Sequence, residues 1–399
     1  MAVTKHLPQQ LSHLAGNLYL TVPKKPSMRY LLALSIGLIS LSVNAQQYYL
    51  FVGTYTTGKS KGIYVYQFNA KNGEMQWVSN TDSCTNPSFL AVSPNGNFVY
   101  AVNETGRENP GRVSAFAFDK NKGKLQLLNQ QASGGDDPCF ITVHPSGKWA
   151  VVANYSGGSL AAFPIRTDGG FQPYAQLIQH KGSGPNQARQ ASAHVHSTFF
   201  SPDYQYILAP DLGMDKIMSY RFTPTAAKPL QPAVPAFSAS APGSGPRHIA
   251  FHPNQSFVYR LEEMTGTVTV SAYNKGTMKN IQTIATHPEE FTGQPGSADI
   301  HLSPDGKFLY ASNRGEENNI AIFSVNPKSG KLTSIGYQSV EGAQPRNFII
   351  DPTGNFLIVA NQKTNNIVIF KRNPETGLLQ PTLQKIEVPS PVCLQLLAK

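Results

Sequence analysis

Eleven polar residues between positions 194 and 361 are of types that move protons or bind anions: His194, His196, Asp211, Arg247, His248, Glu262, Glu263, Asp299, Arg314, Arg346 and Asn361. Arginine forks match carboxylate and phosphate geometry, and imidazole titrates near neutral pH. His194 and His196 sit two apart in "SAHVHSTFF", so in an extended strand both rings share a face. As zinc ligands, completed by Asp211 or Glu263, they would lie about 6 to 7 Å apart along the strand, which is workable but not distinctive. No metal and no cofactor is therefore expected. The chain has no nucleophile-elbow serine, no cysteine in a nucleophilic context and no glycine-rich phosphate loop. What remains is water addition or proton transfer on an anionic substrate. Lactone hydrolysis fits, with a base activating water and arginine stabilising the oxyanion. Proton transfer without net water addition and a non-catalytic exported binding module are the competing expectations.

A repeat places these residues. Six copies run apolar strand, proline turn, apolar strand: "PSFLAVSPNGNFVYAVNE", "PCFITVHPSGKWAVVANY", "HVHSTFFSPDYQYILAPD", "PRHIAFHPNQSFVYRLEE", "SADIHLSPDGKFLYASNR" and "PRNFIIDPTGNFLIVANQ". Their prolines are 94, 145, 202, 253, 304 and 352, so the intervals are 51, 57, 51, 51 and 48 residues. A period near 50 with about four strands per copy signals a β-propeller. Two fragments are left over. "YYLFVGTYTTGKSKGIYVYQF" has a blade's second and third strands, and "PSPVCLQLL" resembles an isolated first strand. Together they complete a seventh blade. The expected fold is all-β, a single seven-bladed β-propeller over residues 46–399 closed by a C-terminal strand that completes the N-terminal blade.

In such a disc the proline turns occupy one face. Loops leading into the first strands, and loops after the second strands, occupy the other. All eleven polar residues fall on that second face, around one central opening. Asn103, Asn154, Asn313 and Asn361 recur at one repeat position, which suggests turn capping; Asn361 is nevertheless kept as a substrate-binding candidate. His144 and His252 precede turn prolines and read as turn residues. Arg314 and Glu263 break the pattern of their own copies, so the fold does not explain them.

The chain of 399 residues carries a formal charge of +10. Residues 1–45 hold Lys5, Lys24, Lys25 and Arg29 and no acid, which leaves +6 for the remainder. Without a basic run, this suits a small anionic ligand and gives no expectation of nucleic acid. "MRYLLALSIGLISLSVNA", residues 28–45, reads as a secretory signal after a basic start, with cleavage expected after Ala45 and Met28 as an alternative start. A periplasmic or secreted protein with no membrane attachment after cleavage follows, as a monomer or weak dimer. Cys84, Cys139 and Cys393 are an odd number with no zinc spacing, so buried free thiols are expected.

Several motifs also carry a resemblance: "GTYT" with "GIYVY", "ANYSGGSLAAFPI", "AHVHS" followed by "PDLGMDKI", "GPRHIAFHP", "SNRG" with "IAIFSV", and terminal "SPVCL". Together, across residues 48–397, they resemble the lactonase family of seven-bladed propellers. That family is named for bacterial propeller-type 6-phosphogluconolactonase and is similar to fungal 3-carboxy-cis,cis-muconate lactonizing enzymes. The resemblance implies a lactone hydrolase, with a muconate-type lactonizing cycloisomerase as the alternative, whose catalytic histidine, arginine, glutamate and second arginine are His196, Arg247, Glu263 and Arg314. His194, Asp211, Arg346 and Asn361 are expected to bind substrate around them. Where the family commonly reads Asn-Glu this chain reads Glu262-Glu263, which is expected to add a negative charge to the site.

Overall fold

The computed structural model describes residues 46–106 and 108–399. The leader and its expected cleavage site lie outside the described residues. The rest forms seven four-stranded antiparallel sheets. We number the blades along the chain. Blade 1 holds Gln47–Thr54, Ile63–Asn69 and Met75–Thr81, and the innermost strands of blades 2 to 7 are Leu90–Val92, Pro138–Val143, Phe199–Phe200, Pro246–Phe251, Ser297–Leu302 and Pro345–Ile350.

Blade 1 has no first strand of its own. Pro391–Ala398 supplies it, pairing Val52 with Leu394 and Leu50 with Leu396. The expected closure is thus present, and it pairs the inner edge of Gln47–Thr54. Second strands such as Trp149–Asn154 are buried along their whole length, because both sides meet a neighbouring blade. The outermost strand Leu379–Glu387 alternates, since one side faces water. Apolar side chains form seven clusters, one wedged between each pair of neighbours. The wedge joining blades 1 and 7, with Leu50, Val52, Ile358 and Ile369, completes the circle.

The six proline turns share one geometry. The fourth residue of each (Gly96, Gly147, Tyr204, Gln255, Gly306 or Gly354) donates its N–H to the carbonyl three residues back at 2.8 Å. All six have positive φ, between 57° and 74°. Glycine meets this cheaply at four of them, whereas Tyr204 and Gln255 adopt it against the clash of their own Cβ.

Candidate active site

Two structural devices, repeated around the ring, aim side chains at the axis on the face opposite the proline turns. The first is a bulge where the innermost strand begins. Pairing skips a residue at Cys139, Arg247, Arg346 and Val392, and the extra residue turns toward the channel. His196 takes the corresponding place in blade 4 without a regular strand. There the innermost strand is only Phe199–Phe200, and Val195 makes an isolated bridge to Asp211. The expectation of a strand through both histidines is corrected accordingly: the chain arrives as an irregular loop. Both rings still meet Tyr155, His194 stacked at 4.6 Å and His196 edge-on at 5.3 Å.

The second device is a hydrogen bond in every blade. The residue just past the second strand donates its N–H to the carbonyl preceding the first strand: Tyr55 to Ser390, Glu104 to Asn86, Tyr155 to Asp137, Leu212 to His194, Glu263 to Gly245, Arg314 to Gly296 and Gln362 to Gln344. These seven donors form a ring over the mouth, and Glu263 and Arg314 are two of its members. The fixed loops carry strain, for Asn86, Asp137, Gln344 and Ser390 all have φ between 43° and 64°.

Glu263 is the hub. Its Oε2 receives Arg247 Nε at 3.1 Å and Arg314 Nη2 at 3.0 Å, with His196 Nε2 at 3.8 Å. Its Oε1 receives Arg189 Nη2 at 2.6 Å. Burial would raise its pKa, but Arg314, Arg247 and His196 together hold the carboxyl well below the usual range. Burial, reinforced by the Arg247 charge, pushes His196 well below the ordinary histidine value, although Glu263 opposes this. Neutral imidazole therefore faces an ionised carboxylate at neutral pH. Arg247 is buried among Arg314 and Arg346 and is brought down to about 10, so it stays charged. Its Nη1 donates to the Ala298 carbonyl. Arg314 is steadied by the carbonyls of Gly296 and Ser297. Arg346 lies 5.5 Å over the Tyr55 ring and 3.8 Å from Glu104, which also accepts from the Tyr55 hydroxyl. Four guanidiniums thus surround two carboxylates, a balance that favours an anion.

Five of the residues picked from the sequence do not join this group: His248 and Asp299 form a separate pair beneath it, and Asp211, Asn361 and Glu262 serve the fold. Asp211 is fully buried and accepts backbone N–H bonds from His194, Gly213 and Met214 while pairing with His180 at 2.7 Å. Asn361 donates to the Val340 carbonyl, as Asn103, Asn154 and Asn313 do to Thr85, Ser133 and Thr286. All five tie a second strand to the segment arriving from the previous blade, which is the capping role. Glu262 occupies the same repeat position. It turns away from the mouth to Arg260, so the extra charge expected from Glu262-Glu263 does not reach the site. His144 and His252 make local turn contacts, as expected.

Tyr55, Glu104, Tyr155 and Arg189 were not picked from the sequence. The first three sit at the same repeat offset as Glu263 and Arg314, and that offset was the available signal. Arg189 lies in the stretch that lengthens one interval to 57 residues, where the short helix Gln187–Gln190 leans over the mouth. The cysteines are free and buried. Burial pushes the Cys139 thiol up, and its sulfur lies 3.2 Å from the His196 carbonyl, which makes it a poor nucleophile. Among the described residues no three His, Cys, Asp or Glu side chains gather as a metal-ligand set.

Residues 49–396 match the family model of the seven-bladed β-propeller lactonases. The chain belongs to that family. It is 42% identical over 349 residues to a 6-phosphogluconolactonase of Formosa agariphila, covering 87% of this chain and 99% of that one. A Bacillus subtilis 6-phosphogluconolactonase is 36% identical over 356 residues, covering 88% and 99%. A solved Pseudomonas aeruginosa structure, described as a periplasmic gluconolactonase, superposes with a TM-score of 0.85 at 40% identity, covering 88% and 99%.

Proposed function

We propose that this protein hydrolyses an anionic sugar lactone of the 6-phosphogluconolactone type at the mouth built around Glu263. The observation that carries this is the convergence of neutral His196, Arg247 and Arg314 on one ionised carboxylate. Neutral His196 takes a proton from water as the water oxygen attacks the lactone carbonyl, and the new imidazolium is stabilised by Glu263. Arg247 and Arg314 stabilise the tetrahedral oxyanion. The intermediate collapses by breaking the ring C–O bond, and His196 returns its proton to the departing alkoxide. Glu263 serves as the electrostatic partner, since a carboxylate gripped by three arginines is a weak base. Arg189, at the rim, and Arg346, in the channel beside Arg247, meet the substrate's remote negative charge.

The test is a lactone panel with the purified protein, with and without chelator. 6-Phosphogluconolactone is expected to be opened with a lower KM than gluconolactone, and chelator is expected to change nothing. No turnover of any lactone, with a ligand still raising Tm, would favour the binding-module alternative. The basic, apolar leader and the periplasmic relative support export. Recovery of the exported protein with Gln46 at its N-terminus checks this.

A further inference from the structure

Below the mouth, one residue further along the innermost strands of blades 5, 6 and 7, lies a second polar group that the hydrolytic steps above do not use. Arg247 Nη1 sits 3.2 Å from His248 Nε2. On the far side of that ring, His248 Nδ1 is 2.8 Å from Asp299 Oδ1. Asp299 also accepts from the backbone N–H of Ile300, and its Oδ2 accepts from Asn347 Nδ2, from the N–H of Phe348 and from His301 Nε2 at 3.0 Å. His248 and Asp299 are almost wholly buried. The apolar rings of Phe89, Phe140 and Phe199 enclose the imidazole, and His196 lies edge-on at 5.5 Å. His301 is part-exposed in a wider cavity of about 610 Å³ that opens on the proline-turn face.

The chemistry of the donors fixes the tautomer. Guanidinium can only donate and carboxylate can only accept. His248 Nε2 must therefore be bare and Nδ1 must carry the hydrogen. The bulge at Arg247 is what lets consecutive residues face the same channel and touch. We propose that His248 and Asp299 are positioning residues: Asp299 holds His248 in the Nδ1–H form, and the bare Nε2 anchors Nη1 of Arg247 so that the rest of the guanidinium is aimed into the mouth. This rests on Arg247 acting as an oxyanion donor. Protonation of His248 would place a second donor against Nη1 and disturb that aim. The charged and titratable groups facing His248 are Arg247, Asp299, His301 and His196.

Two measurements test this. Selective 15N-histidine NMR on the wild-type protein, with His248 assigned from the spectrum of His248→Gln, is expected to show a neutral Nδ1–H ring at pH 7. An Nε2–H ring or a charged ring would overturn the proposal without any variant having to fold differently. Kinetics supply the second measurement. Asp299→Asn puts an amide NH2 where a carboxylate oxygen faced His248, inverting the tautomer, and is expected to lower kcat about 10- to 100-fold with KM within about threefold. His248→Leu is expected to behave likewise. His248→Gln, whose amide can accept from Arg247 and donate to Asp299, is expected to keep kcat within about threefold. A purely structural role would lower Tm for all three variants while leaving kcat per folded molecule alike, and that pattern would overturn the proposal. Absence of lactone turnover in the wild type would instead strike the hydrolase function and leave the tautomer result standing.

Discussion

Replacing Glu263 by Gln removes the anion that three arginines and His196 share while nearly preserving shape. A unit charge on His196 at 3.8 Å from Glu263 Oε2 is worth about 4 kcal/mol at an effective dielectric near 20. With the proton about half transferred in the transition state, roughly 2 kcal/mol of that stabilisation is lost, or about 30-fold in kcat. The direction of the pH effect is also fixed. Glu263 raises the His196 pKa against burial and Arg247, so its removal lowers that pKa further. The base works only when neutral, and the acid limb of the rate profile therefore moves to lower pH. Leaving Arg247 and Arg314 buried without their counter-charge costs about 3 to 5 kcal/mol of stability; the half-exposed Arg189 adds little. The assay is pH-stat hydrolysis of 6-phosphogluconolactone by wild type and Glu263→Gln from pH 4 to 9, with Tm measured on the same samples. A folded variant with kcat within threefold of wild type, or an acid limb displaced upward, would refute the electrostatic role.

Three further outcomes are expected. Burial first, then Arg247, brings the folded His248 pKa from 6.5 down to about 4. In that window the unfolded chain binds a proton that the folded one does not, so stability rises with pH; about 3 kcal/mol should be lost between pH 6.5 and 4. Urea midpoints across that range check the loss, and His248→Gln should remove this share of it while leaving the share that His196 contributes. Ending the chain at residue 389 removes the closing strand with buried Val392, Cys393 and Leu394. Burial of Val392 and Leu394 alone is worth about 3 to 6 kcal/mol. The newly open edge of Gln47–Thr54 should then give aggregation or strand exchange, read by size-exclusion chromatography. Gln255→Gly relieves an exposed residue held at φ 63° and should stabilise the protein by about 0.5 kcal/mol, measured by denaturant unfolding.

The ring was legible in the sequence because six of the seven blades repeat turn chemistry that few residues satisfy: proline, a residue with positive φ two places on, then an apolar strand. Even the shared blade showed itself, as two fragments of opposite incompleteness. Within the site, Glu263 and Arg314 stood out by departing from their copies, and Arg247 and Arg346 as arginines that follow proline at the entry to a first strand. Asp211, Glu262 and Asn361 were drawn in because residue type suggested chemistry, while their repeat position belongs to capping. The converse held for Tyr55, Glu104 and Tyr155, which share the offset of Glu263 yet looked unremarkable singly. Arg189 was hidden for a different reason. It reaches Glu263 from 74 residues away, through a loop whose path no repeat dictates. The contact between Arg247 and His248 was equally invisible, since regular strand alternation would send neighbours to opposite faces, and only the bulge brings them together.

The most direct measurement is the initial rate of 6-phosphogluconolactone hydrolysis by wild type and Arg247→Ala, side by side at pH 7, in samples shown to be folded. Loss of one oxyanion donor should lower kcat about 100- to 1,000-fold. Equal rates would contradict the placement of the active site at the Glu263 mouth.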